Sequence, residues 1–189
     1  VANVATRVVS DNFLTLKLVT CVLSLGFVQS KTIETMRTIQ SLLSEYGESH
    51  QNPTNKLVHW VCVPVIFFCV VGLLYSVKLG ANLSTGLPLN LAMIALLLTV
   101  LYYARLSPTL AVGMTFFALF CLWLCQLIEA SGAKLWLVSL ILFVLAWIGQ
   151  FWGHKIEGKK PSFFKDLQFL LIGPAWLMSF IYERVGIRI

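Results

Sequence analysis

Charge is what this sequence has least of. Only 12% of its 189 residues are Asp, Glu, Lys or Arg, while 58% are hydrophobic, and the mean hydropathy is +0.84. Soluble domains carry about a quarter charged residues, so a water-soluble fold of this size would lack the polar surface to cover its core. The chain is therefore read as an integral membrane protein. Common catalytic signatures are missing too: there is no Gly-x-Ser-x-Gly elbow, no P-loop and no His-Glu-x-x-His, which removes the usual serine-hydrolase, nucleotide-hydrolase and zinc-protease arrangements. The five cysteines, Cys21, Cys62, Cys69, Cys121 and Cys125, lie in apolar runs without a Cys-x-x-Cys pair and read as small hydrophobes. No basic, aromatic-interleaved module for nucleic acid is present, so the net charge of +6 bears on membrane orientation and anionic lipid.

What is present is apolar length. Uncharged stretches run from about Leu57 to Val77, Pro88 to Ala104, Pro108 to Ile128 and Leu135 to Trp152, close to the ~20 residues a spanning helix needs. The expected fold class is all-α: a polytopic helical membrane protein with four transmembrane helices, an N-terminal interfacial helix and a C-terminal apolar segment. That last segment, Leu167 to Tyr182, is interrupted by Gly173-Pro174 and reads as a kinked span, a re-entrant segment or an interfacial helix. "GANLSTGLP" reads as a turn-rich loop and "RLSP" as a tight turn with Pro108 opening a helix. Ile39, Leu42, Leu43 and Tyr46 share one helical face, so that helix is expected to lie flat at the interface. Trp60, Trp147 and Trp152 near span ends fit aromatic belts. Residues 1 to 35 form an N-terminal extension, read as a weak extra span, a signal-like stretch or sequence upstream of a start at Met36, the last being favoured. Residues 36 to 189 then form one membrane domain.

The chain has only three histidines. His50 and His59 stand at the entrance of the first span, in "YGESHQNPTNKLVHW", and His154 at the exit of the fourth, in "QFWGHKIEGKKP". Four crossings return the chain to its starting side, which puts all three on one face of the membrane. Arg37, Lys56, Arg105, Lys155, Lys159, Lys160 and Lys165 fall on that face and only Lys78 and Lys134 on the other, so the histidine face is expected to be cytoplasmic. Asn52-Pro53 reads as an N-cap and first helical residue. Asn55 and His59 then share a face at i, i+4, and His154 and Glu157 at i, i+3, before Gly158 and Pro161 end the helix. Three interfacial histidines can simply satisfy helix ends. Their convergence beside a carboxylate points instead to a metal site, and imidazoles with open positions suit non-haem Fe(II) that activates oxygen, among other metals. Lys56, Lys159 and Lys160 are equally readable as anchors for anionic headgroups or as partners of a substrate carboxylate.

The two segments "HQNPTNKLVH" and "QFWGHKIEGKKP", each beside an apolar span, resemble the paired motifs of the membrane 2-hydroxy fatty acid dioxygenases of fungi and bacteria. The resemblance covers about residues 36 to 182 and includes every histidine in the chain. It implies Fe(II)-dependent α-oxidation, in which a 2-hydroxy fatty acid and O₂ give an acid one carbon shorter, a step of phytosphingosine breakdown in the fungal member. Under that resemblance His50, His59 and His154 are the iron ligands and Glu157 joins them as a catalytic residue, while Asn52, Asn55, Lys56 and Lys159 face the substrate. "SFFKDLQFLLIGP" fits the family only loosely, and residues 1 to 35 have no counterpart. Loss of carbon dioxide from a 2-hydroxy acid to give the shorter acid removes four electrons, which matches full reduction of one O₂ without a further reductant. The expected setting is a bacterial inner membrane rather than the endoplasmic reticulum. The competing functions are a small metal- or proton-coupled transporter, which would place ionisable groups partway along the spans, and a non-enzymatic membrane protein with incidental histidines.

Overall fold

The computed structural model describes residues 39–48, 50–82, 88–158 and 170–189, and the expectations for residues 1 to 35 and for Lys159 fall outside them. Residues 39–48 form helix α1. It is followed by α2 (Pro53–Tyr75), β1 (Lys78–Asn82), β2 (Pro88–Asn90), α3 (Leu91–Leu106), α4 (Pro108–Ala130), α5 (Leu135–Glu157) and α6 (Ile172–Val185). Helix starts follow local chemistry. Asn52 Oδ1 accepts from the Thr54 amide at 2.9 Å with Pro53 in the first helical position, and Asn90 Oδ1 accepts from Met93 N at 3.2 Å. Ser107 has two jobs: its amide donates to the Tyr103 carbonyl at 2.8 Å to close α3, and its hydroxyl accepts from Leu110 N at 3.3 Å to open α4. One residue thus reverses the chain between two apolar helices. Gly158, at φ 72°, ends α5 four residues after His154 in the left-handed conformation that favours glycine.

Among the described residues, α2, α4 and α5, each 23 residues long, are long and apolar enough to cross a membrane; α3, with 16 residues, is shorter. Their outward faces carry large exposed apolar side chains such as Leu97, Leu98, Phe116, Phe120, Ile141 and Ile148, a pattern that water would not tolerate over this area. Lipid supplies no hydrophobic drive for helix to meet helix, so close approach depends on small residues. The principal pair, α2 and α5, runs antiparallel and meets at three such points. A Cβ on Gly72 would lie 2.2 Å from Ser139 Oγ, one on Gly149 2.8 Å from Cys62 Sγ, and one on Gly153 2.5 Å from Asn55 Oδ1. Cys69, Cys121 and Cys125 are free and buried in the core beside Phe67 and Met114, as small hydrophobes.

Three local expectations change. The face of α1 that carries Ile39, Leu42, Leu43 and Tyr46 does not simply lie on a lipid surface. Ile39 and Tyr46 are buried, and Tyr46 packs with Val63, Ile172, Trp176 and Leu177, because α2 and α6 offer that face a partner. The loop after α2 holds a short antiparallel ribbon with Lys78 opposite Asn90 and Asn82 opposite Pro88, so the chain is not all-α throughout. Lys78 also bridges to Glu129 at 2.9 Å. Finally, Gly173-Pro174, which sequence leaves open as a kinked span, a re-entrant segment or an interfacial helix, lies at the start of a short described helix. The pair occupies the first turn of α6, where proline has no intrahelical donor to lose, and α6 has 14 residues, about 21 Å of helix. Tyr103 and Tyr182 donate their hydroxyls to the carbonyls of Leu171 and Thr109, which pins α6 to α3 and α4.

Candidate metal centre

The antiparallel packing of α2 on α5 brings the start of one helix beside the end of the other, and the three histidines meet there. His50 is 2% exposed, His59 1% and His154 5%. Ring centroids are 4.2 Å apart for His50 and His59, 5.0 Å for His59 and His154, and 5.4 Å for His50 and His154. One ring nitrogen from each lies within 4.8 Å of the other two, so the group can hold a metal ion.

Hydrogen bonding fixes how two of the rings present themselves. His50 Nδ1 lies 2.6 Å from the Tyr46 carbonyl, and His59 Nδ1 lies 2.9 Å from the Asn55 carbonyl, each four residues earlier. A carbonyl only accepts, so both Nδ1 atoms carry the proton and the lone pair of each neutral imidazole is on Nε2. Metal-binding histidines commonly donate their second nitrogen to a carbonyl in this way. His50 is further held by Tyr46, whose ring stacks on it at 4.3 Å and 17°, with Trp176 at 5.6 Å. The residues fit a borderline metal of the Fe, Zn, Cu and Ni group.

Glu157, three residues beyond His154, is not aimed at the cluster centre as a fourth ligand would be. Its Oε1 accepts from Gln51 N at 2.9 Å, and its Oε2 from Asn52 N at 2.9 Å and Asn55 Nδ2 at 3.0 Å. The carboxylate sits on the amino-terminal end of α2, where negative charge is favoured. It ties the segment after His50, the residue that holds His59, and the turn after His154 into one unit. Asn52 is the helix cap, and Asn55 is fully buried between Glu157 and His59; the contacts of both are within the protein. Lys56 is half-buried on the first turn of α2. Replacing Glu157 by Ala is expected to weaken metal binding about 10- to 100-fold, as loss of such outer partners does. Because water can reach part of this carboxylate, the expected stability loss is only about 1 kcal/mol. Metal titration and thermal unfolding of the same sample would separate the two effects.

A small cavity of about 30 Å³ opens near the histidines, lined by Tyr46, Val63, Ile66, Trp147, Gln150 and Gly173 among others. Its register follows the site. Val63 and Ile66 come four and seven residues after His59, and Gln150 and Trp147 four and seven before His154, so the lining descends about 6 and 10 Å from the histidine level into the helix pair. Sequence reasoning gave Tyr46 only a place on an interfacial helix face, and gave Trp176 and Gln150 no role. For Gln150 a signal existed: a lone amide in an apolar run, one turn from a histidine.

Comparison with known proteins decides the family. The family model described as "2-hydroxy-palmitic acid dioxygenase Mpo1-like" matches residues 36–185. The chain belongs to this Mpo1-like family. One relative is the 2-hydroxy-palmitic acid dioxygenase MPO1 of Saccharomyces cerevisiae, 30% identical over 155 residues that span 81% of this chain and 84% of the yeast protein. No solved structure matches the chain. The Mpo1-like match takes in α1 to α6 and both histidine segments, so the cluster and its cavity lie wholly inside it.

Proposed function

We propose that residues 36 to 189 form an Fe(II)-dependent dioxygenase that removes C1 from 2-hydroxy fatty acids and releases an acid one carbon shorter. The observation that carries this reading is the buried three-histidine cluster at the end of apolar helices, with two Nδ1 atoms committed to backbone carbonyls. His50, His59 and His154 would hold the metal through their remaining nitrogens. Iron bound there would supply the redox chemistry toward O₂ and a Lewis acid for the substrate's hydroxyl. Glu157 acts as a positioning residue that keeps the two histidine segments in register, and Asn52 and Asn55 serve the same end. Lys56 and Lys159 are assigned to draw the substrate carboxylate toward the cluster. The hydrocarbon tail lies along the apolar helices below the cluster, with the cavity between its head and the helix pair.

The balanced reaction is RCH(OH)COOH + O₂ → RCOOH + CO₂ + H₂O. The organic substrate gives up four electrons and O₂ takes four, so no flavin, nicotinamide or oxoacid is consumed. In this reading α3 crosses the membrane with α2, α4 and α5, since it runs back against α4 through a one-residue turn, and the histidine end faces the cytoplasm of a bacterial cell. The test is an oxygen-consumption and product assay on purified, Fe(II)-loaded protein given 2-hydroxypalmitate. Pentadecanoate formed with stoichiometric oxygen uptake is the expected result. Absence of any shortened acid from folded protein with bound iron would overturn the reaction.

A further inference from the structure

Gln150 places a carboxamide where polarity is costly. Its side chain is 7% exposed and lines the cavity, one helical turn below His154. Its amide makes no hydrogen bond to any described residue. Val63, Ile66 and Gly173 around it offer no polar side-chain atom, while Tyr46 and Trp147 bring a hydroxyl and an indole N–H to the same cavity. The amide faces the cavity rather than being sealed in the helix pair, and leucine or methionine would serve better there if packing were all that mattered. A carboxamide both donates and accepts. Its best complement is a neutral group that also does both, which describes an alcohol. A hydrocarbon chain does neither, and a carboxylate only accepts.

We infer that Gln150 recognises the alcohol adjacent to the carboxylate of the substrate and is the residue by which the cavity distinguishes a 2-hydroxy acid from a plain fatty acid of equal length. The inference rests on the proposed function for the identity of its ligand, and adds to it a specificity residue outside the histidine cluster. A plain acid entering the cavity would leave the amide dehydrated and unpartnered. Sites built to hydrogen-bond a substrate hydroxyl reject the analogue without it for this reason.

The test uses full-length protein stripped of metal with a chelator, so that chelation cannot supply the preference. Binding of 2-hydroxypalmitate and palmitate is measured for wild type, Gln150→Met and Gln150→Leu, with chromatographic profile and helicity as checks of fold. Wild type is expected to bind the hydroxy acid about 10-fold more tightly, the size of one good hydrogen bond. Either folded variant is expected to bind both acids alike, with palmitate bound at least as well as by wild type. A merely structural role would weaken both acids together and leave the ratio intact. A wild-type ratio retained in the folded variants, or no preference in wild type, would overturn the assignment. Iron-dependent turnover is scored separately: preference without turnover sinks the dioxygenase reading and spares Gln150, while turnover without preference does the reverse.

Discussion

Replacing His154 by Ala is expected to lower iron affinity by more than about 100-fold and to abolish formation of the shortened acid. The same is expected of His50→Ala and His59→Ala. Outer partners of metal ligands already matter by 10- to 100-fold, and here one of three nitrogen donors is removed outright. These side chains are buried among one another, so a loss of activity alone would not separate a metal role from a packing role. Thermal unfolding does so. A metal that binds only the folded state stabilises it by about 2.7 kcal/mol when present at a hundred times its dissociation constant. Wild type should therefore gain a clear rise in Tm with Fe(II) and lose it to a chelator. Each variant should unfold near the metal-free wild type and show no such rise. A variant that keeps both the metal-dependent rise and turnover would remove its histidine from the ligand set.

Gly153→Ala is expected to do comparable damage without touching a histidine. The added Cβ would lie 2.5 Å from Asn55 Oδ1 and 3.3 Å from Val58 Cγ1. Asn55 cannot swing aside freely, because Glu157 holds its amide at 3.0 Å and its backbone carbonyl receives His59. Either α2 and α5 part or the Asn55–Glu157 bond breaks. Overpacking of this kind costs about 1–3 kcal/mol, and both outcomes shift His59 relative to His154, with iron affinity expected to fall about 10-fold or more. Gly72→Ala is the informative control. It overpacks the same helix pair against Ser139 Oγ at 2.2 Å, but thirteen residues from His59, about 20 Å along the helix. It should cost similar stability and leave iron affinity nearly unchanged. Equal loss of affinity in the two variants would mean that the site responds to overall stability rather than to the fit at Gly153.

The parts of this fold that sequence revealed are those with a local cause. Asn52-Pro53 and Ser107-Pro108 start helices because the capping oxygen and the missing proline donor act within one turn. The meeting of the three histidines was legible by a coarser route, since counting apolar runs sets which ends share a side. What stayed hidden is long-range. The carboxylate of Glu157 finds amides 105 and 106 residues earlier, and nothing near Glu157 in the chain encodes that address. The face of α1 looked amphipathic for a surface, but a helix face does not say whether lipid or protein will cover it. Gly173-Pro174 looked like a break because proline disturbs a helix interior, while the same proline in a first turn is neutral, and only the start of α6 distinguishes the two. The ribbon of β1 and β2 was masked by glycine, which signals a turn without saying that its flanks will pair.

The bonds from Glu157 to Gln51, Asn52 and Asn55 also set a schedule for the ribosome. His50 and His59 emerge early, about a hundred residues before His154 and Glu157, and a growing chain that holds only the early pair has two of the three nitrogens and no carboxylate to clamp them. On the proposed function, metal capture by all three nitrogens waits until α5 has been made and has folded back against α2. A partly made or truncated copy lacks the third donor and the carboxylate that clamps the early pair.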